Sequence, residues 1–275
     1  MTVRMFMKIF RTAMIVVAWL AIVPATPAIA KERVLLIALD YAGAENTDLR
    51  LSNPVRDARA LEKSFRKAGQ KDVTLIIEPG LVELDDALFK FTDSLAPDDV
   101  ALVYYAGHAI QYGGENYLIA GDGKTLINIG GIISQVSDAG RATVFFIDAC
   151  RNNPFSDEVK QELQIGQSRS TRSIEMAELE KADGLAQISD LRGLSTVIFF
   201  STEPGNVAMD GAPGKGSPFA DALQREIPKR QSLDTLLKRA AIRVNKETGG
   251  VQSPWRQGDI PFDIFIAGMK TMVIP

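Results

Sequence analysis

The segments VALVYYAGH at residues 100–108 and TVFFIDAC at residues 143–150 decide the fold of this chain. Each begins as a near-continuous apolar run and ends in small residues followed by one reactive side chain, His108 in the first and Cys150 in the second. Continuous apolar runs are typical of strands that are buried on both faces, as in a parallel sheet covered by helices. Three further runs have strand character, at 33–39, 72–77 and 195–200.

Helical patterns fill the gaps between these runs. They cover roughly 55–68, 83–95, 128–139, 218–227 and 232–246. Asn53 before Pro54 gives the first of them a start signal, because asparagine is a good N-cap and proline suits the first turn. The alternation of strands and helices predicts an α/β fold with an open, mostly parallel sheet flanked by helices.

The first thirty residues do not fit this alternation. Three basic residues precede an apolar run at 13–23, and PAIA at 27–30 ends in small residues, which is the arrangement of a signal peptide. The run is shorter than the roughly 20 residues of a membrane span, so we expect no stable span once the signal is cleaved. The alternative is an uncleaved anchor. Cleavage before Lys31 would place the mature protein outside the cytoplasm, in the periplasm or the extracellular space.

A single domain over 31–270 accounts for the rest of the chain, interrupted by a long polar connection at 156–193. The segment 1–30 holds three of the 31 basic residues and no acidic one, which leaves 28 basic against 34 acidic residues, a net charge of −6. An acidic domain without a basic stripe is a poor binder of nucleic acid, and we expect no such partner. With one cysteine the chain forms no internal disulfide, so the thiol either pairs between molecules or is reactive.

His108 and Cys150 each follow the end of an apolar strand. In open α/β sheets, active sites gather beyond the carboxyl ends of the strands. If the two strands are neighbours, the imidazole and the thiol meet at one edge, where the imidazole can take the thiol proton and so produce the attacking thiolate. Either residue alone is more often structural, but the pair at two strand ends predicts a cysteine nucleophile with a histidine base.

Seven segments of the chain, in order, resemble the caspase-type cysteine peptidases (peptidase C14) and, within them, the bacterial relatives of metacaspases. These segments are LSNPVRDARAL at 51–61, YYAGH at 104–108, GGENYLIAGD at 113–122, DACRNNPF at 148–155, STEPGNVAMDG at 201–211, GSPFADAL at 216–223 and QSPW at 252–255. The resemblance implies the caspase–haemoglobinase fold and hydrolysis of peptide bonds, with His108 and Cys150 as the catalytic pair.

The same resemblance implies an oxyanion hole made by the backbone N–H groups of Ala109 and Cys150. Family members usually carry glycine after the catalytic histidine, whereas this chain has Ala109. If that position requires a positive φ, alanine would be strained and could misplace the donor. Loss of one such donor typically lowers the rate by on the order of 10²–10³.

Two aspartates are candidates for substrate selection. Asp148 lies two residues before Cys150 on a strand, so both side chains should face one cleft. The resemblance assigns Asp148 and Asp57 to the pocket for the residue before the cut, where two carboxylates would select Arg or Lys. The alternative is that both aspartates cap local turns, and Asp57 in a first helical turn fits that well.

We expect no cofactor. Asp210 and neighbouring acids could bind calcium, as in some metacaspases, but no diagnostic ligand spacing is present. Two other functions remain open: a catalytically weak or inactive caspase-like module that binds peptides or partners, and a cysteine hydrolase of a non-peptide amide or acyl substrate. The sequence does not determine the oligomeric state.

Overall fold

Buried apolar strands form the centre of the molecule, as the sequence predicts. The computed structural model describes residues 31–112, 115–149, 164–165, 188, 191, 193–204, 206 and 208–268. The proposed signal peptide at 1–30, Cys150 and most of the connection at 156–193 lie outside the described residues.

The larger sheet has six strands within the described part of the chain. They are β1 (Glu32–Ala38), β2 (Val73–Ile77), β3 (Val100–Ala106), β7 (Ala142–Asp148), β9 (Thr196–Phe200) and β10 (Trp255–Asp259). Their order is β10–β9–β7–β3–β1–β2, and every neighbouring pair is parallel except β10 with β9. The sheet is therefore mostly parallel, and the predicted α/β fold is confirmed.

Helices cover both faces of this sheet. They are α1 (Pro54–Lys67), α2 (Leu81–Asp93), α3 (Ile129–Ser137), α4 (Pro218–Glu226) and α5 (Leu233–Glu247). Apolar side chains of α2 and α3 belong to the core cluster on one face, and those of α1, α4 and α5 belong to the cluster on the other. Apolar residues on both faces explain why the strands read as continuous apolar runs.

A second, smaller sheet was not predicted from the sequence. It contains β4 (Ala109–Tyr112), β5 (Glu115–Ile119), β6 (Thr125–Asn128) and β8 (Gln164–Ile165), in that order. These strands have two to five residues each, too few to produce a clear apolar pattern. Strand β4 begins directly after His108, so this sheet starts at the candidate active site.

The start of α1 differs from the prediction. The Asn53 side chain does not cap the helix. Its amide donates instead to the carbonyl of Asp210 at 2.7 Å, and its oxygen accepts from the N–H of Gly214 at 2.9 Å. The N–H of Val55 is bound by the carboxylate of Asp40, just past β1, at 2.9 Å. Asn53 thus ties α1 to a loop about 160 residues away, a role that local sequence does not reveal.

Candidate active site

The carboxyl ends of β3 and β7 meet at one edge of the larger sheet. The two strands are parallel neighbours, with Ala106 in register with Asp148. His108 lies two residues past Ala106, and Ala149 follows Asp148. Both His108 and Ala149 line a single pocket at this edge. The predicted adjacency of the two strands is therefore confirmed, whereas the position of the Cys150 thiol lies outside the described residues.

His108 is buried, with 6% of its surface exposed, and its ring is oriented by a main-chain group. The Nε2 atom lies 2.8 Å from the carbonyl oxygen of Leu49. Since a carbonyl can only accept, Nε2 carries the proton in this hydrogen bond, and Nδ1 of the neutral ring is an acceptor. Burial lowers the pKa of His108, although the Leu49 carbonyl partly opposes this. The resting imidazole is thus a neutral base with its lone pair on Nδ1.

The backbone at Ala109 does not require glycine. Ala109 is the first residue of β4 and pairs with Leu118, and it is not among the described residues with positive φ. The strain considered for this alanine is therefore absent, which corrects the sequence-based concern. Because the N–H of Ile119 donates to the carbonyl of His108, the next pair, Ala109 with Leu118, is a non-hydrogen-bonded one. The Ala109 N–H therefore points away from β5, on the side of β4 where no described strand pairs.

Ser217, the N-cap of α4, brings Asp57 and Asp148 together. Its N–H donates to Oδ2 of Asp57 at 2.7 Å, and its hydroxyl donates to Oδ2 of Asp148 at 2.5 Å. The hydroxyl of Tyr104 adds a second bond to Asp148 at 3.2 Å. Asp57 also pairs with Arg56 at 2.7 Å through Oδ1. Asp57 in α1 and Asp148 at the end of β7 are thus linked through one residue, Ser217, and both line the pocket.

Burial makes both carboxyls hard to ionise. Burial, together with the charge of Asp57, raises the pKa of Asp148 to about 7, although the Ser217 hydroxyl opposes the shift. Burial raises the pKa of Asp57 to about 6, against the opposing effects of the Ser217 N–H and Arg56. A cation placed between them would favour both ionised forms. No described residue donates to Oδ1 of Asp148, so this oxygen is available to a ligand.

Asp210 is a third carboxylate on the wall of this pocket. Its Oδ2 accepts from the N–H of Ser52 at 2.9 Å, and burial raises its pKa. From the sequence it was considered as a calcium ligand only. Among the described residues, no group of three or more His, Cys, Asp or Glu side chains is arranged to hold a metal ion. The sequence signal for Asp210 was its place in a family-like segment, without any indication that the loop returns to α1.

Apolar or small residues form most of the remaining pocket wall. They are Leu51, Pro54, Ala106, Gly107, Ala149, Ala208 and Met209. Ser217 was recognised from the sequence only as a helix start. Its role as the link between two carboxylates depends on α4 packing beside α1, which no local pattern specifies.

Comparison with known proteins adds two findings. The family model of the caspase domain, Peptidase_C14, matches residues 31–265. The fold is similar to that of caspase-1 from Spodoptera frugiperda, with a TM-score of 0.62 and 18% sequence identity, over 89% of this chain and 93% of that one. No curated protein gives a significant match.

No helix in the described ranges has the length and apolar character needed to cross a membrane.

Proposed function

The chain belongs to the caspase domain family of cysteine peptidases, and on that premise we propose that it is an endopeptidase that cleaves after Arg or Lys. Cys150 is the nucleophile and His108 the base in this proposal, with the backbone N–H groups of Ala109 and Cys150 as the oxyanion hole. The observation that carries the proposed specificity is the set of three carboxylates, Asp57, Asp148 and Asp210, in the pocket that His108 also lines.

The state of His108 supports its proposed role as the base. A neutral imidazole with Nε2–H bound to Leu49 has its acceptor lone pair at Nδ1. Transfer of the thiol proton to Nδ1 gives a thiolate beside an imidazolium, and the thiolate attacks the peptide carbonyl. The imidazolium then returns the proton to the leaving amine, which completes acylation.

The N–H at Ala109 is directed suitably for an oxyanion. It points out of the β4–β5 ladder and is held by a strand rather than by a flexible turn. Because alanine is unstrained here, the main reason to consider an inactive module no longer applies. No observation on the described residues favours a non-peptide substrate.

The charge of the pocket suits a basic side chain. Asp148 keeps one oxygen without a described donor, and the pocket presents two further carboxylates. A planar guanidinium can bind two such oxygens at once, so we expect Arg to be preferred over Lys.

Fluorogenic peptides that differ only in the residue before the cut test this proposal. We expect turnover of the Arg peptide, weaker turnover of the Lys peptide, and none of the Asp peptide. Cys150→Ala should abolish turnover and His108→Ala should lower it by roughly 10²–10⁴. Activity that survives in Cys150→Ala, or a preference for Asp, would contradict the mechanism or the specificity respectively.

Variants of the pocket separate specificity from catalysis. A buried guanidinium that loses one of its carboxylates loses roughly 3–5 kcal/mol in comparable pairs. Asp148→Ala should therefore lower kcat/KM for Arg peptides by on the order of 10² or more, at about 1.4 kcal/mol per tenfold change. Asp57→Ala should act in the same direction. Alkylation of Cys150 by iodoacetamide is the control, since its rate should change little in either variant.

A further inference from the structure

Tyr41 and Glu78, which lie at the ends of β1 and β2, have unusual backbone conformations. Their φ angles are +57° and +52°, and they are the described non-glycine residues with positive φ. Such conformations are uncommon for residues with side chains and persist where surrounding contacts enforce them. Both residues lie at the edge of the sheet where β3 leads into His108, and the proposed function assigned neither of them a role.

The Glu78 carboxylate holds the turn that carries Tyr41. It accepts hydrogen bonds from two successive backbone N–H groups, those of Asp40 and Tyr41, the latter at 3.1 Å. The N–H of Glu78 in turn donates to the carbonyl of Ala38 at 2.9 Å. Two adjacent N–H groups that converge on one anion fix the local backbone. Glu78 therefore fixes the direction in which the Tyr41 side chain projects from the backbone.

The Tyr41 hydroxyl is inserted between two backbone groups at the active site. It accepts from the N–H of His108 at 2.9 Å and donates to the carbonyl of Ile119 at 2.9 Å. The N–H of Ile119 already donates to the carbonyl of His108 at 3.1 Å, as in a hydrogen-bonded antiparallel pair. The two groups bridged by the hydroxyl are those that would form the second bond of this pair. Tyr41 thus keeps the backbone N–H of His108 apart from the carbonyl of Ile119 in β5.

The tyrosine also contacts the imidazole itself. The rings of Tyr41 and His108 have centroids 4.9 Å apart and planes inclined by 31°. Tyr41 is fully buried, so the residues packed around it restrict the motion of its side chain. Gly107 leaves the space for this approach, because a Cβ atom there would lie 2.9 Å from the Tyr41 hydroxyl and 2.7 Å from that of Tyr105.

We propose that Tyr41 is a positioning residue for the catalytic base: its hydroxyl and ring hold His108 where Nε2–H meets the Leu49 carbonyl, and Glu78 holds Tyr41 for this purpose. The inference rests on the proposed function for its effect on catalysis, but not for its effect on His108. Without the hydroxyl, the His108 N–H either closes directly on Ile119 or stays unsatisfied. Either outcome moves the imidazole relative to the Leu49 carbonyl.

His108 is the sole histidine of the chain, so it can be observed directly. In protein labelled with ¹⁵N-histidine and purified without a histidine tag, the two ring nitrogens report the tautomer by NMR. We expect the Nε2–H form in the unaltered protein and a mixture of tautomers in Tyr41→Phe. For Arg peptides, kcat should fall by about 10², the scale of an ångström-sized misplacement, while KM stays within about twofold.

Tyr104→Phe is the matched control, because it removes the same atom from a buried tyrosine whose hydroxyl binds Asp148 instead. It should leave the His108 tautomer unchanged and raise KM for Arg peptides. Glu78→Ala should reproduce the tautomer mixture of Tyr41→Phe, and Glu78→Gln, which keeps one acceptor oxygen, should restore it in part.

An unchanged tautomer and unchanged kcat in folded Tyr41→Phe would overturn the inference. If Tyr41→Phe does not fold, the Glu78→Ala spectrum decides in its place, since an unaltered tautomer there also contradicts the proposal. If the unaltered protein hydrolyses no peptide, the proposed function fails, yet the NMR measurement still decides the role of Tyr41.

Discussion

The hydroxyl of Ser217 donates a hydrogen bond to Asp148 over 2.5 Å and so joins the last residue of β7 to the first turn of α4. The same hydroxyl accepts from the N–H of Ala220 at 2.9 Å, so one atom caps the helix and holds the carboxylate. Asp148 is thereby fixed at the pocket wall, although its own burial opposes its ionisation.

Binding of basic substrates should strengthen as the pH rises through the range of the pocket carboxyls. Asp57 and Asp148 have pKa values raised to about 6 and about 7, so below about pH 6 both are mostly protonated and present no charge to a substrate cation. We expect KM for Arg peptides to fall between about pH 5.5 and 8.

Steady-state kinetics at several pH values measure this effect. Ionisation of the catalytic pair also changes the rate, but it acts on kcat rather than on the affinity for the basic side chain. In Asp148→Asn, the part of the decrease in KM that occurs near pH 7 should disappear. A KM that does not vary with pH in the unaltered protein would contradict the assignment of these carboxyls to the pocket.

Asp148→Asn should stabilise the fold at alkaline pH. The carboxyl keeps its proton to about pH 7 when folded but loses it near pH 3.8 when unfolded, so the free energy of unfolding falls as the pH rises between these values. An amide has no such proton to lose. The free energy of unfolding of the variant should exceed that of the unaltered protein by about 1 kcal/mol or more at pH 8 and by little near pH 4.

Urea unfolding at pH 4 and pH 8 measures this difference. Asp57→Asn is the matched comparison, and its gain should be smaller, because the pKa of Asp57 is raised only to about 6. An equal change in the free energy of unfolding at both pH values would mean that Asp148 does not titrate as described.

Ala109→Gly should give no gain in activity. Ala109 has an extended strand conformation and a fully buried side chain in the core cluster, so glycine would remove contacts and loosen β4. We expect unchanged or lower kcat and a less stable protein. A rate increase in a peptide cleavage assay would show that the donor at this position is misplaced by the alanine.

Export remains a prediction from the first thirty residues. We propose that the protein is cleaved before Lys31 and acts outside the cytoplasm. Terminal sequencing of protein recovered from its native compartment should give Lys31 or a residue within a few positions of it. An intact Met1 would argue for an uncleaved anchor instead. Because a reactive thiol oxidises outside the cytoplasm, activity should improve with a reductant.

The sequence by itself determined the layered α/β fold and the edge at which the site lies. Apolar runs such as 100–106 specify strands buried on both faces, since burial on each side of a parallel sheet requires apolar residues at every position. His108 follows one such run and lies at the carboxyl edge of the sheet, and the sequence predicts the same edge for Cys150, which follows another run. Strands of two to five residues, as in the smaller sheet, carry too little pattern to be predicted.

Only the tertiary structure decided which groups complete the site. Ser217 contacts Asp57 across 160 positions of the chain, and Tyr41 contacts His108 across 67. A hydrogen bond depends on distance and angle within a few tenths of an ångström, and local sequence does not encode such geometry between distant segments. The sequence therefore predicts candidate reactive residues, because residue type and position after an apolar run are local properties. Their tautomer, ionisation and partners depend on burial and on distant contacts, which exist only once the chain has folded.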